Sequence, residues 1–150
     1  MKLLRIFPPE TSSFLSLKFL KIAFSAKNKI LKSNFTYSSK PIVFNGLEFI
    51  HPVGLAAGLD KEAKYFDALG SIGFSFIEVG TFTPEAQKGN KRPRVKRITK
   101  HNSLINRLGF NNPGINKGIQ NINLYKKKFR GILGVSIGKN KKTSLEKAHG

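Results

Sequence analysis

Three short apolar runs, separated by segments with helical spacing, most constrain what this chain can fold into. The runs are VGLAA at 53–57, FSFIEVG at 74–80 and GILGVSIG at 131–138. The segment KEAKYFDALGSIG follows the first run and INKGIQNINLYKKKF precedes the third, and both have the apolar spacing of helices. Strands that alternate with helices build βα units, so the sequence predicts an α/β fold with a parallel sheet.

Polar residues follow each predicted strand at its carboxyl end. Gly58 to Lys61 come after the first strand, Thr81 after the second, and Ser136 to Lys139 after the third. Parallel α/β folds build their sites just past the carboxyl ends of their strands, so we expect these residues to meet at one edge of the sheet. Glu78 interrupts the second apolar run, and a carboxylate at that position needs a buried partner or a ligand.

The stretch GLAAGLDK at 54–61 crowds small residues immediately before an acid and a base. Small residues such as Ala57 and Gly58 let the backbone approach a flat or bulky group, and Lys61 can meet an anion. A tight turn between a strand and a helix has the same composition. From these residues by themselves, both interpretations stay open.

Two further stretches carry strand signals of their own. IVFNGLEFIHP places two short apolar runs about Asn45-Gly46, which is the strongest short hairpin signal. RPRVKRIT alternates apolar and basic residues as an exposed strand does, and LINRLGFNNPG then combines an apolar start with a turn-forming end. An excursion of this length between two strands of a compact domain is usually functional.

The segment SSFLSLKFLKIAFSAKNKIL at 12–31 predicts an amphipathic helix. At about 100° per residue, one narrow stripe is mostly basic and contains Lys18, Lys21, Ser25 and Lys29. Apolar side chains cover most of the remaining surface, which is typical of a helix lying in a membrane interface. Packing on the chain's own domain is the alternative. No run of about 18 apolar residues occurs, so we expect no membrane-spanning helix, and SNFTYSSKP at 33–41 predicts a linker.

The composition limits the kinds of site that the chain can hold. It has 150 residues, with 27 Lys and Arg against 8 Asp and Glu, and a formal net charge of +19. The basic residues are spread over the whole chain without a binding motif or interleaved aromatic clusters, so we expect no nucleic-acid partner. The chain has no cysteine, which excludes disulfides, thiolate metal sites and a cysteine nucleophile. Its 3 histidines are too scattered to predict a metal site.

Four motifs in register resemble one known family. NGLEFIHPVGLAAGLDK, GFSFIEVGTFTPEAQKGNKRPRVKRI, LINRLGFNN and GVSIGKNK follow one another in the order seen in dihydroorotate dehydrogenases. The apolar amino-terminal helix is similar to that of the quinone-dependent, membrane-associated class. The resemblance runs from about residue 8 to the end and implies the amino-terminal part of a (β/α)₈ TIM barrel. Residues 1–40 would be a helical membrane-associating extension, and residues 41–150 the first part of an FMN-binding barrel.

The resemblance implies a role for each residue that matches a family motif. The FMN-binding residues would be Ala57, Gly58, Leu59, Asp60, Lys61, Thr81 and Ser136. The substrate-binding residues would be Lys61, Asn106, Arg107, Leu108, Gly109 and Phe110. Asn106 can pair with the amide edges of a pyrimidine because a side-chain amide both donates and accepts. Arg97 would lie at the mouth of the quinone tunnel, and no residue would bind a metal.

The function that the resemblance implies is the oxidation of dihydroorotate to orotate in pyrimidine biosynthesis. FMN would be the redox cofactor and a membrane quinone the electron acceptor. The implied location is peripheral, at the cytoplasmic face of a bacterial cell membrane. An inactive remnant of the enzyme that binds only membranes or anions is the alternative.

Three departures separate this chain from the family pattern. Ser136 stands where a flavin-contacting Asn is usual, and Ser13 stands where the quinone tunnel commonly has a His. About three barrel strands are expected here, whereas a complete barrel needs about 250 residues. The family's catalytic serine base is therefore expected beyond residue 150. We expect no catalytic residue within this chain, and no activity from the chain by itself.

Overall fold

The structure is a computed structural model that describes residues 6–25 and 40–148. Its helices and strands are, in chain order, α1 (Pro9–Ser25), β1 (Ile42–Phe44), β2 (Leu47–Phe49), β3 (Gly54–Leu55), α2 (Phe66–Gly70), β4 (Phe76–Phe82), β5 (Val95–Ile98), β6 (Ser103–Asn106), α3 (Ile115–Tyr125) and β7 (Ile132–Ile137). Short 3-10 turns follow β5 at Thr99–His101 and α3 at Lys126–Lys128.

β3, β4 and β7 form the parallel sheet that the three apolar runs predict. β4 lies in the centre, where Phe76 is opposite Gly54 of β3 on one side and Ile132 of β7 on the other. Ile77 and Val79 of β4 are completely buried at 0% exposure, as expected for alternate residues on the inner face of a strand. The prediction of a parallel sheet is confirmed, although β3 is only 2 residues long.

The core lies between the sheet and the helices that follow its strands. Phe66 of α2 belongs to one buried cluster with Ile77 and Val79. α3 approaches the sheet through Gly118, where a Cβ would lie 2.7 Å from the ring of Phe82. Burying a Phe or Ile side chain stabilises the fold by roughly 1.5–3 kcal/mol, so these contacts hold both helices on the sheet.

The helix predicted within 61–73 is shorter than expected, because only Phe66–Gly70 is helical. The buried carboxylate of Asp60 accepts hydrogen bonds from the backbone nitrogens of Lys64 at 3.0 Å and Tyr65 at 2.7 Å. These bonds hold the chain before the helix in turns. Ala63 also has a φ of 52°, a left-handed conformation that a right-handed helix does not contain.

Both of the other strand predictions are confirmed. β1 and β2 form the hairpin predicted at Asn45-Gly46, whose φ values of 49° and 76° suit the left-handed turn that Asn and Gly favour. β5 lies in the stretch predicted as an exposed strand, and β6 pairs with it antiparallel, with Val95 opposite Asn106. The excursion between β4 and β7 is therefore built around a second hairpin, with Asn106 at its base.

α1 covers much of the helix predicted at 12–31. It begins earlier than predicted, at Pro9, a residue that is favoured in the first turn of a helix. Residues 26–31 of that prediction, which include Lys29, and residues 33–39 of the predicted linker lie outside the described residues.

One side of α1 packs on the domain, which is the alternative that the sequence left open. Leu17 is buried. Lys21 Nζ lies 2.5 Å from Asp67 Oδ1 and 3.7 Å from the centroid of the Tyr125 ring. Lys21 of the basic stripe therefore faces the domain, because a buried carboxylate on α2 binds its ammonium.

The other side of α1 exposes apolar residues. Leu15, Phe19 and Ile22 are 37%, 74% and 67% exposed, and their spacing places them on one face of the helix. Lys18 is also on the exposed surface, with its Nζ 4.6 Å from the centroid of the Phe14 ring. Within residues 6–25 and 40–148, the structure has no helix whose length and apolar character would let it cross a membrane.

We expect Lys21→Met to destabilise the chain by about 3 kcal/mol, because it leaves the Asp67 carboxylate, 0% exposed, without its ion pair. Lys18→Met is the matched control on the exposed surface of the same helix, and should change the free energy of unfolding by less than about 0.5 kcal/mol. Urea denaturation followed by circular dichroism measures both. Equal effects of the two substitutions would show that the Lys21–Asp67 pair does not anchor α1.

Candidate functional site

The carboxyl ends of β3, β4 and β7 meet at one edge of the sheet, and main-chain hydrogen bonds join the segments that leave them. Gly58 N donates to Gly80 O at 3.0 Å, and Gly80 N donates to Asp60 O at 3.0 Å. The hydroxyls of Thr81 and Ser136 lie 2.8 Å apart. The structure therefore brings Gly58, Asp60, Thr81 and Ser136 together at this edge, although Thr81 and Ser136 lie in the last residues of β4 and β7 rather than after the strands as predicted.

Two glycines and one carboxylate shape the loop after β3. Gly58 has a φ of 107°, which strains any other residue, and no atom lies within 4 Å of the position that its Cβ would take. A Cβ on Gly80 would lie 2.6 Å from Ser136 O, so only glycine allows this approach of β4 and β7. Glu78 Oε2 accepts from Ala57 N at 3.4 Å, which gives this carboxylate a partner. The loop is held to the sheet while Gly58 faces open space.

The side chain of Asp60 points into the fold, and its main chain faces the sheet edge. The side chain accepts the two backbone hydrogen bonds described above, and the residue is 1% exposed. Burial raises the pKa of Asp60, and these backbone hydrogen bonds oppose the shift because they favour the carboxylate. Its neighbour Leu59 is 37% exposed. Asp60 thus shapes the loop, and Leu59 presents a side chain beyond it.

Lys61 ends this loop, and its ammonium donates to Gly58 O. Burial lowers the pKa of Lys61; the Glu10 carboxylate opposes this shift, the Arg94 guanidinium adds to it, and Asp60 opposes it. A nearby anion stabilises the charged form of an ammonium that is partly removed from water. Lys61 is therefore suited to meet an anionic ligand.

A cavity of about 540 Å³ connects Lys61 with α1 and the β5–β6 hairpin. Its lining includes Ser13, Phe14 and Leu17 of α1, Leu59 and Lys61 of the loop after β3, and Val95, Leu104, Asn106 and Leu108 of the hairpin and the loop that follows it. The predicted substrate residues Lys61, Asn106 and Leu108 therefore meet in one cavity. On the α1 side, Phe14 and Leu17 give the cavity apolar surface, and Glu10 and Lys18 add charged groups.

Four predicted residues, Arg97, Arg107, Gly109 and Phe110, are not part of the lining of this cavity. Arg97 donates to Phe7 O at 2.7 Å and to Ser12 Oγ at 2.9 Å, beneath the start of α1, and it lines a second cavity of about 400 Å³. Arg107 Nη2 donates to Pro93 O at 3.3 Å. The last two predicted substrate residues are Gly109 and Phe110. Gly109 has a φ of 72°, and Phe110 is 60% exposed.

Three residues that organise the site were not predicted from the sequence. Glu10, in the first turn of α1, lies 2.5 Å from Arg94, which is only 7% exposed. Asn112 is 8% exposed; its Oδ1 accepts from Thr83 N at 3.1 Å, and its Nδ2 donates to Phe110 O at 2.7 Å. An acid in a first turn and an Asn beside Pro-Gly each have an ordinary local explanation. Only the tertiary contacts reveal these roles.

A parallel sheet with polar residues at the carboxyl ends of its strands defines an α/β protein of the kind that binds ligands beyond that edge. The profile of the family described as dihydroorotate dehydrogenase matches residues 41–149. The chain belongs to the dihydroorotate dehydrogenase family, as its motifs predict.

Relatives of known name agree with this assignment. The dihydroorotate dehydrogenase (quinone) of Acinetobacter baylyi is 48% identical over 140 residues, which are 93% of this chain and 40% of that protein. The protein of the same name from Neisseria meningitidis is 54% identical over 110 residues, 73% of this chain and 32% of that protein. The solved dihydroorotate dehydrogenase of Eimeria tenella in complex with ferulenol superposes with a TM-score of 0.73 at 34% identity, covering 92% of this chain and 38% of that one. The chain spans about 40% of the length of these relatives.

Proposed function

We propose that this chain supplies the flavin-facing and pyrimidine-facing edge of an enzyme that oxidises dihydroorotate to orotate in pyrimidine biosynthesis. The observation that carries the proposal is the meeting of Lys61 and Asn106 in one cavity, beside the loop that Gly58 and Gly80 join to β4. The name dihydroorotate dehydrogenase (quinone) of the relatives supports a quinone as the electron acceptor.

The open edges of the sheet support the proposal that residues 41–150 are the first part of a (β/α)₈ barrel. β4 is paired on both sides, whereas β3 and β7 each have one partner among the described strands. Val135 and Ile137 of β7 are 42% and 75% exposed, although parallel sheets normally have both faces covered. Further βα units beside β3 and β7 would close the barrel and cover them. Residues 1–40 would form the preceding extension.

The residues at the sheet edge fit FMN. Because no atom fills the space where a Cβ on Gly58 would lie, the main chain of Ala57 and Gly58 can approach a flat ring. The hydroxyls of Thr81 and Ser136 can each donate or accept, and Lys61 adds a positive charge. When bound, FMN would supply the electron acceptor for the substrate. Leu59 would add an apolar contact, and Asp60 would hold the loop in shape.

Lys61 and Asn106 would hold the pyrimidine. The carboxylate of dihydroorotate would favour the ammonium form of Lys61 and so oppose the lowering of its pKa by burial. The amide of Asn106 both donates and accepts, which suits the amide edge of the ring. Leu108 lines the same cavity, and Arg107, Gly109 and Phe110 would complete the loop around the ligand.

The α1 side of the cavity would receive the quinone. Phe14, Leu17 and Leu104 provide an apolar wall. Arg97 would lie at the mouth of this space, where it is bonded to the start of α1. Ser13 lines the wall, so a hydroxyl would take the place of the imidazole that is common in the family.

A chimera tests the proposed function. It joins residues 1–150 of this chain to the part of the Acinetobacter baylyi relative that lies beyond the matched region. We expect the chimera to copurify with FMN and to reduce a quinone with dihydroorotate. The 150-residue chain without this extension should do neither, because phosphate-binding loops follow the last strands of this fold. A folded chimera without FMN would contradict the proposal, and an FMN-loaded chimera without turnover would favour an inactive remnant.

Asn106→Ala in the same chimera tests the assignment of this residue to the substrate. We expect kcat/KM for dihydroorotate to fall by about 5- to 150-fold, the effect of losing two neutral hydrogen bonds worth roughly 0.5–1.5 kcal/mol each, with unchanged FMN content. Asn116→Ala on the exposed surface of α3 is the control. If Asn106→Ala lost FMN yet turned over normally when FMN was resupplied, Asn106 would belong to the cofactor site.

The exposed apolar face of α1 supports peripheral attachment to a membrane, which we place at the cytoplasmic face of a bacterial cell. We expect Phe19→Gln combined with Ile22→Gln to weaken cosedimentation of the chain with anionic vesicles by about tenfold or more, since burying each side chain is worth roughly 1.5–3 kcal/mol. Leu124→Gln is the control, because Leu124 is 64% exposed on α3. Unchanged vesicle binding would remove α1 as the attachment site.

A further inference from the structure

Glu10 and Arg94 form an ion pair between α1 and the loop before β5. Arg94 Nη2 lies 2.5 Å and Arg94 Nε 3.0 Å from Glu10 Oε1. Arg92 adds a longer contact of 3.3 Å from a side chain that is 74% exposed. Two nitrogens of a buried guanidinium on one carboxylate oxygen make a strong, directional contact. This pair therefore ties the first turn of α1 to the loop.

Arg94 also organises the loop around itself. Its Nη1 donates to Lys88 O at 2.7 Å and to Asn90 O at 3.2 Å. Gly89 between them has a φ of 73°, and a Cβ there would lie 2.9 Å from Arg94 Nη1. The backbone at 88–90 is thus wrapped closely around the guanidinium, so the position of Arg94 determines the position of the loop.

This loop in turn holds the segment that follows the β5–β6 hairpin. Asn90 N donates to Leu108 O at 3.0 Å, and Arg107 N donates to Arg94 O at 2.8 Å. Asn90 Nδ2 donates to Arg107 O at 2.7 Å. A continuous set of hydrogen bonds therefore connects Glu10 with the residues directly after Asn106.

Glu10 also acts on Lys61 through its charge, since both residues line the same cavity. Six charged residues line this cavity: Glu10 and Lys18 of α1, and Asp60, Lys61, Glu62 and Lys64 of the loop after β3. The charge of Arg94 also acts on Lys61. Burial lowers the pKa of Lys61, and the Glu10 carboxylate is the largest influence that opposes this shift. Removing the carboxylate also leaves the opposing charge of Arg94 without its partner.

We propose that Glu10 is a positioning residue of this site. Its ion pair with Arg94 holds α1 against the cavity and keeps the segment after Asn106 in place, and its negative charge favours the ammonium form of Lys61. The consequence for dihydroorotate binding rests on the proposed function. The placement of the segment and the charge of Lys61 are properties of the chain itself.

Glu10→Gln tests both parts, because it keeps the size of the side chain and removes the charge. Hydrogen exchange followed by NMR on the 150-residue chain should show the amides of Asn90 and Arg107 exchanging about tenfold or more faster, as the loss of a charged hydrogen bond predicts. The amides of β4 should be unchanged. Glu48→Gln in the exposed β1–β2 hairpin is the matched control, and should leave every one of these rates unchanged.

The effect of Glu10 on the pKa of Lys61 is measured in a separate experiment. Lysines are labelled by reductive methylation with ¹³C-formaldehyde, the Lys61 signal is assigned with Lys61→Arg, and its pKa is obtained by NMR titration. Glu10→Gln should lower the pKa of Lys61. Glu10→Asp, which keeps the charge, should restore the pKa toward that of the unsubstituted chain, and Glu48→Gln should not change it.

Two results would overturn the proposal. One is an unchanged pKa of Lys61 in Glu10→Gln, and the other is an increase in exchange that β4 shares equally, which would make Glu10 only a general stabiliser of the fold. Both readouts use the chain without FMN or substrate. Failure of the chimera would therefore overturn the proposed function and leave this inference standing, and failure here would leave the proposed function standing.

Discussion

The approach of β3, β4 and β7 at their carboxyl ends depends on main-chain contacts, which at Gly80 leave no room for a side chain. Gly58 and Gly80 each donate to a carbonyl across this edge, and a Cβ on Gly80 would lie only 2.6 Å from Ser136 O. The same approach brings the Thr81 and Ser136 hydroxyls to 2.8 Å. Lys61 leaves this edge at the end of the constrained loop, so its position in the cavity follows from the glycines before it.

The helix α1 completes the cavity because charged residues near both of its described ends bind partners in the domain. Glu10 binds Arg94 at 2.5 Å, and Lys21 binds Asp67 at 2.5 Å. Asp67 and Arg94 are buried in the domain, and removing the partner of a buried charge costs several kcal/mol, so the helix that carries these partners tolerates little rotation. The two pairs thus direct Leu17 inward and leave the opposite, apolar face exposed. The two ion pairs therefore determine both how α1 packs on the domain and which face of α1 is exposed for the proposed membrane contact.

The sequence predicted the parts of the fold that local patterns encode. The three parallel strands, the turn at Asn45-Gly46 and the strand β5 follow from apolar runs, turn residues and alternation, although only Lys96 of β5 is exposed. The predicted length of the helix within 61–73 was too great, because the Asp60 carboxylate accepts hydrogen bonds from the backbone before α2 and holds it in turns. The ion pair of Lys21 was not predicted for a related reason: its partner Asp67 lies far along the chain, and periodicity does not report pairing across the fold. The family resemblance assigned both Lys61 and Asn106 to the substrate. The contacts made by Glu10 were found only in the structure.

In the proposed enzyme, the strand ends, the loop before Lys61 and the segment after β6 face one cofactor and one substrate. A crystal structure of the chimera with FMN and orotate tests this claim most directly. We expect a flavin ring against the main chain of Ala57 and Gly58, with the Thr81 and Ser136 hydroxyls in hydrogen-bonding contact and orotate held by Lys61 and Asn106. A flavin bound elsewhere, or orotate without contact to Lys61 and Asn106, would contradict it.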